Sequence, residues 1–116
     1  MKLFTEAKLL RVFIGESDKY EGRPLYQAIV ELARQRELAG ATVLRGYVGF
    51  GANSRIHSAR IMRLSEDLPM VIEIVDEPER ITAFAAELDG MIREGLVTME
   101  KVEVIIYRHG NDGGSK

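Results

Sequence analysis

Cysteine and tryptophan are absent from the 116 residues, and histidine occurs only twice. Without cysteine the chain has no disulfides, thiolate metal ligands or cysteine nucleophile, and such a composition fits a reducing compartment such as the cytoplasm. His57 and His109 alone do not supply the three or four ligands of a metal site. We therefore expect a cytoplasmic protein with no metal site and no resident cofactor.

The sequence also lacks long apolar runs and an excess of positive charge. Its uncharged stretches fall far short of the roughly 20 apolar residues that a membrane-spanning helix needs, and residues 1–8 contain no apolar signal core. Lys and Arg number 16 against 18 for Asp and Glu, which gives a net charge of −2. No general positive field would hold nucleic acid by its phosphates. We expect a protein that is neither embedded in a membrane nor bound to nucleic acid.

The composition that remains is ordinary for a folded globular protein. Hydrophobic residues make up 46% and charged residues 29% of the chain, and the length suits one domain. We place that domain at residues 1–109. Residues 110–116 are polar and rich in glycine, so we expect a disordered tail there.

Hydrophobic periodicity predicts four strands and two helices. Apolar, largely β-branched stretches predict strands at 7–15, 41–48, 70–75 and 102–107. The first helix is expected to begin at Pro24 and to end at Gly40. An acidic, proline-containing start at 76–79 opens the second helix, which is expected to end at Gly95. Residues 16–23 are predicted to be a polar loop, and 60–64 are a candidate hairpin extension.

The predicted order βαββαβ indicates an α+β, ferredoxin-like sandwich. In that fold an antiparallel four-stranded sheet carries both helices on one face. A solvated second face should show alternating apolar and polar residues, but 71–75 and 104–107 alternate poorly. Apolar side chains on both faces predict that another copy of the chain covers the second face.

The most unusual segment, residues 45–57, follows the second predicted strand. Its glycines allow close approach of the backbone to a ligand, and free N–H groups in such a bend can bind an anion. Residues 50–65 contain three arginines and a histidine but no carboxylate, which suits a phosphate or carboxylate ligand. The candidate ligand-binding residues are Arg45, Gly46, Gly49, Phe50, Gly51, Asn53, Ser54, Arg55 and His57. A bulged strand end followed by a solvated basic loop is the plainer interpretation.

No arrangement of residues in the sequence requires an enzyme. The glycines do not form a dinucleotide motif, and no phosphate-binding P-loop is present. Ser54 and His57 lie close together, but that segment supplies no carboxylate to orient the imidazole. Asp18 and Glu21 fit a solvated loop better than a catalytic pair. We therefore assign no catalytic residue.

Several short blocks, in order, resemble the small PII-like proteins of bacteria and archaea in the domain-of-unknown-function family DUF190. The resemblance runs from about Leu9 to Tyr107 and depends on blocks at 14–16, 24–26, 40–46, 49–52, 56–57, 68–69 and 74–76. It implies a ferredoxin-like fold, a homotrimer and a sensing or regulatory role. Family members are often encoded beside fluoride-export channel genes, which implies a channel or transporter partner.

A more distant likeness is to PII signal-transduction proteins. There a G-x-G element, similar to Gly49-Phe50-Gly51, opens an effector loop, and adenine nucleotides bind at clefts between subunits. The likeness implies that Asn53 stands near the phosphates. Residues 90–96 depart from PII, because they lack its glycine-rich, lysine-containing phosphate loop. ATP binding in the PII manner is therefore not implied.

Three hypotheses follow. The first is a PII-like trimeric sensor that binds a small anionic ligand, with an adenine nucleotide as one candidate, at clefts between subunits. The alternative is a ligand-free interaction module that docks on a membrane protein or transporter through its 49–68 loop. The third, a small enzyme or metal-tolerance protein of similar fold, is disfavoured by the missing cysteine and scarce histidine.

Overall fold

A computed structural model describes residues 6–49, 67–108 and 110. Within them lie, in chain order, β1 (Glu6–Gly15), β2 (Lys19–Tyr20), β3 (Arg23–Pro24), α1 (Leu25–Gln35), β4 (Ala41–Arg45), β5 (Pro69–Asp76), α2 (Pro78–Leu88) and β6 (Leu96–Glu103). The candidate hairpin at 60–64, most of the 49–68 loop and nearly all of the predicted tail lie outside the described residues.

The main sheet has four strands in the order β4-β5-β1-β6, and every neighbouring pair is antiparallel. The long strands β1 and β5 are therefore central, and β4 and β6 form the edges. Strands β2 and β3 make a separate two-stranded hairpin. This arrangement confirms the predicted ferredoxin-like α+β fold.

The core lies between the sheet and the two helices. Alternate residues of β1, such as Leu10 and Val12, are fully buried opposite Ile74 and Ile72 of β5. Side chains from both helices join the same cluster, including Phe84 of α2. Each such side chain contributes about 1.5–3 kcal/mol through burial. Both helices therefore cover one face of the sheet, as predicted.

The first helix ends earlier than predicted, at Gln35 rather than Gly40. The N–H of Glu37 donates to the carbonyl of Arg34 at 3.0 Å, and the N–H of Leu38 donates to the carbonyl of Ala33 at 3.1 Å. This is a Schellman ending, which needs a left-handed residue at the position of Glu37. Glu37 has φ 58° there, so glutamate stands where the sequence rule looks for glycine.

The second helix likewise ends before the predicted Gly95, at Leu88. The N–H of Gly90 donates to the carbonyl of Glu87, and the N–H of Met91 donates to that of Leu88. These turns bring Met91 back into the core. Because the turn keeps Met91 on the buried side, the helical spacing of apolar residues continues beyond Leu88. The predicted helix was therefore too long.

The last strand was predicted wrongly at 102–107, because it spans Leu96–Glu103. It pairs with β1 from Phe13, opposite Leu96, to Glu6, opposite Glu103. Its side chains are mostly exposed on an edge strand, so it lacks the apolar signal of a buried strand.

Two shorter boundaries also differ from prediction. Strand β4 ends at Arg45 rather than at residue 48. The expected loop at 16–23 contains the hairpin of β2 and β3, whose turn has positive φ at Glu21 and Gly22. Positive φ at both turn residues matches the twist of paired strands. The hairpin was missed because glutamate, at the first of these positions, is not one of the residues typical of such a turn. Within the described ranges, no helix is long and apolar enough to cross a bilayer.

Replacing Glu37 by glycine should stabilise the fold. A left-handed conformation costs a residue with a β-carbon about 1 kcal/mol, and glycine avoids that cost. Urea denaturation of Glu37→Gly should therefore show an unfolding free energy higher by about 1 kcal/mol. The matched control is Ala83→Gly, at an exposed position in the middle of α2, which should lose about 1 kcal/mol. Equal losses in the two variants would contradict the assignment of the helix ending.

Candidate functional site at the base of the glycine-rich segment

Three of the predicted ligand-binding residues lie in the described structure. Arg45 is the last residue of β4, and Gly46 and Gly49 follow it. The remaining candidates, Phe50, Gly51, Asn53, Ser54, Arg55 and His57, lie outside the described residues. The structure therefore describes the base of the candidate site, where the chain leaves β4 and returns to β5. We call the connection between these strands, residues 46–68, the glycine-rich segment.

The two ends of the segment are held together by backbone pairing. Arg45 lies opposite Met70 in the ladder between β4 and β5. The N–H of Gly46 then donates to the carbonyl of Pro69 at 2.6 Å. The departing and returning chains therefore stay paired one residue beyond β4.

The turn after β1 holds the returning chain from its other side. The N–H of Glu16 donates to the carbonyl of Leu68 at 2.8 Å. The N–H of Ser17 donates to the carboxylate of Asp67 at 2.9 Å. We call residues 15–18, 45–46 and 67–69 the loop junction, because three separate parts of the chain meet there.

An ion pair crosses the loop junction. Arg45 Nη2 lies 3.1 Å from Glu16 Oε1, and the two side chains are 52% and 33% exposed. Because β4 and β1 flank β5 on opposite sides, this pair bridges the start of β5. Sequence reasoning selected Arg45 but missed Glu16, since only the strand order brings the ends of β1 and β4 together.

The other two carboxylates of the loop junction bind backbone groups. Asp18 accepts a hydrogen bond from the N–H of Gly15 at 2.9 Å, and Asp67 accepts the one from Ser17. These acids order the turn after β1. Across the described residues, no group of three or more histidine, aspartate or glutamate side chains is arranged to hold a metal ion.

Two glycines of the loop junction lie in close approach to the returning chain, and at Gly46 the atoms approached belong to the proline ring and the backbone of Pro69. A β-carbon on Gly46 would lie 2.5 Å from Cγ of Pro69, and one on Gly15 would lie 2.5 Å from a carboxylate oxygen of Asp67. Both distances are far below van der Waals contact. At Gly46 the space that a side chain would fill is therefore taken by Pro69 of the returning chain. This contact fixes the path of the backbone as it leaves β4.

The stretch that departs from the PII pattern forms the turn between α2 and β6. Arg93 in this turn lines a cavity of about 140 Å³ together with Lys19 and two acids, Asp18 and Glu94. Two cations and two carboxylates balance each other at this opening. The cavity adjoins the loop junction through Asp18.

The sheet face opposite the helices carries many apolar side chains. Leu44 at the β4 edge is 48% exposed and Leu96 at the β6 edge is 55% exposed. At the centre of this face, Arg11 lies 2.9 Å from Glu73 and 3.4 Å from Glu100. The hydrogen bond to Glu73 raises the pKa of Arg11. We call this face of the sheet, which carries Leu44, Arg11 and Leu96, the open face. It corresponds to the second apolar face expected from the sequence.

A cavity of about 670 Å³ lies between the open face and residues 104–107. The Tyr107 hydroxyl donates a hydrogen bond to the carbonyl of Ala39 at 3.0 Å and holds residues 104–107 next to this face. The charged residues in the lining are Glu73 and Glu103, and its walls are largely aliphatic. Among the described residues that line this cavity there is no cation, whereas the loop junction contains Arg45.

Comparison with solved structures defines the class of fold. A PII-like signaling protein from Thermus thermophilus superposes with a TM-score of 0.61 at 18% identity, covering 87% of this chain and 91% of that one. CPII from Thiomonas intermedia K12, solved with ADP and bicarbonate, gives a TM-score of 0.61 at 14% identity, covering 85% and 88%. The fold is therefore PII-like.

The chain belongs to the DUF190 family. The family model, described as "Uncharacterized ACR", matches residues 7–104. A UPF0166 protein of Aquifex aeolicus is 44% identical over 98 residues, which is 84% of this chain and 92% of the relative. This membership confirms the resemblance drawn from the short sequence blocks.

Gly46→Ala should destabilise the protein at the loop junction. The added methyl group must displace Pro69 or break the hydrogen bond between Gly46 and Pro69, and overpacking of this kind costs roughly 1–3 kcal/mol. Urea denaturation measures the loss. Gly40→Ala is the matched control, because a β-carbon there meets nothing within 4 Å, and its effect should stay within about 0.5 kcal/mol. Similar unfolding free energies for the two variants would refute the close approach.

Proposed function

We propose that this protein is a PII-like trimeric sensor that binds a small anionic ligand at clefts between subunits. An adenine nucleotide is the candidate ligand. Its binding residues are drawn from Arg45, Gly46 and Gly49 at the loop junction and from Phe50, Gly51, Asn53, Ser54, Arg55 and His57 beyond it. The proposed role is regulatory and cytoplasmic, without catalysis and without a resident cofactor.

The position of the loop junction on edge strand β4 carries the proposal. Leu44 and Arg45 are consecutive, so their side chains emerge on opposite faces of the sheet. Leu44 belongs to the exposed open face, and Arg45 bridges the loop junction. A second copy that covered the open face would therefore meet this edge beside the glycine-rich segment, and the ligand site would lie at the boundary between subunits.

The chemistry of the segment favours an anion. Arginine presents planar donors that match phosphate and carboxylate oxygens, and residues 50–65 contain arginines without carboxylates. CPII, which shares the PII-like fold, was solved with ADP and bicarbonate. Both ligands are small anions, which supports the same ligand class here.

Thermal unfolding against a panel of AMP, ADP, ATP, bicarbonate and phosphate tests the ligand. At 100 times Kd a ligand adds about 2.7 kcal/mol, which raises the Tm of a domain this size by several degrees. We expect an adenine nucleotide to raise the Tm, and Arg45→Ala to reduce that rise. Arg34→Ala, an exposed position on α1, is the matched control and should leave the rise unchanged. A panel without any shift would contradict the proposal.

The same panel separates the sensor from the alternative module. A ligand-free module that docks on a membrane transporter or channel through residues 49–68 would show no shift with any anion. Its capture of the partner would instead depend on the basic residues at 52–63.

Light scattering tests the trimer. The wild-type particle should have three times the chain mass of 13.0 kDa. Leu44→Glu places a charge on the open face and should dissociate the particle, because a buried unpaired charge is costly. Thr82→Glu, on the exposed surface of α2, should leave the mass unchanged. A wild-type monomer at micromolar concentration would overturn the assembly.

A further inference from the structure

The ion pair at the loop junction places a carboxylate of the protein itself on the candidate anion-binding arginine. We propose that Glu16 is an internal competitor for the ligand: it occupies Arg45 in the free protein and must release it when the anion binds. This inference rests on the proposed function, because it concerns how the same site is regulated.

Among the described residues, the Arg45 pair is one of the arginine pairs held by a single contact, as is the pair of Arg23 with Glu31. Arg36 grips Glu87 through two hydrogen bonds, at 2.7 and 2.6 Å, and Arg11 lies between two carboxylates. Arg45 makes a single contact with Glu16, at 3.1 Å, and is itself half exposed. A single exposed ion pair contributes only about 0–1 kcal/mol, so a ligand can displace it.

Among the described residues, Glu16 is also the acid of the loop junction whose carboxylate contacts a side chain instead of a backbone N–H group. Asp18 and Asp67 accept hydrogen bonds from backbone N–H groups, so moving them would disturb the turn after β1. Glu16 is anchored through its backbone, by the bond from its N–H to Leu68, whereas its carboxylate contacts Arg45. The carboxylate can therefore swing away while the turn stays in place.

Displacement has two consequences for binding. An incoming anion must break the pair and approach a negative carboxylate, and both effects weaken its affinity. When Arg45 turns to the ligand, the contact that bridges β1 and β4 across β5 is lost. Glu16 thus sets the ligand concentration at which the site fills and transmits binding to the turn after β1.

The test measures the Kd of the full-length protein for ADP by isothermal titration calorimetry. Glu16→Gln keeps the shape of the side chain and removes its charge, so ADP should bind about fivefold more tightly than to wild type, the factor that corresponds to a 1 kcal/mol pair. Glu21→Gln, a neighbouring exposed acid in the hairpin turn, is the matched control and should not change the Kd. In an Arg45→Ala background, Glu16→Gln should tighten binding less than it does in the wild-type background, because no ion pair is left to break and only the repulsion between the carboxylate and the anion is removed.

Each outcome separates the two ideas. If wild type binds ADP and Glu16→Gln has the same Kd, the competitor is overturned while the ligand site stands. The same holds if Glu21→Gln lowers the Kd as much as Glu16→Gln does. Absence of binding of ADP and of the other four anions of the panel, in wild type and in Glu16→Gln, overturns the ligand site and the competitor together. A Tm of Glu16→Gln within about two degrees of the wild-type Tm verifies that the turn after β1 remains folded. If the Tm falls further, Glu16→Ser serves as the second variant.

Discussion

Leu68 and Pro69, where the chain enters β5, fix the base of the candidate site by pairing with two other parts of the described chain. Pro69 pairs with Gly46 on one side, and Leu68 pairs with Glu16 on the other. The glycine-rich segment therefore starts and finishes at a point fixed by three parts of the chain. A segment with a fixed base can present donors in a reproducible place, which is what recognition of a small ligand requires.

The sheet gives that base its relation to a neighbouring subunit. One face of the sheet is buried by both helices, whereas the other carries exposed apolar side chains around the central Arg11. The loop junction lies at the end of this sheet where β1 and the edge strand β4 end and β5 begins. In the proposed trimer, packing of the open faces and filling of the ligand site would thus be coupled, since consecutive residues of β4 serve each of them.

Much of the fold could be predicted from sequence because β1 and β5 are central strands with one buried face. Alternation in such strands is strong, and the helices carry clear apolar faces. Edge strand β6 was misplaced because residues such as Thr98 and Lys101 face solvent. The helix ending at Gln35 was missed because Glu37, instead of a glycine, takes the left-handed position. The ending at Leu88 was missed because Met91, beyond the helix, still packs in the core.

The candidate site was predictable only in part. Arg45 and the glycines stand out in the local sequence, but Glu16 lies 29 residues before Arg45. Its role depends on the order β4-β5-β1, which brings two strand ends to the same place. Sequence spacing holds no signal for that contact until the topology is known. The same is true of the close approach between Gly15 and Asp67.

Hydrogen–deuterium exchange of the full-length protein, with and without saturating ADP, tests the central claim most directly. If the loop junction is the base of the ligand site, ADP should alter exchange at 15–18, 44–49 and 67–70 while the pairing of β1 with β6 stays unchanged. Unaltered exchange in those three stretches, or a response confined to the segment at 104–107, would contradict the account.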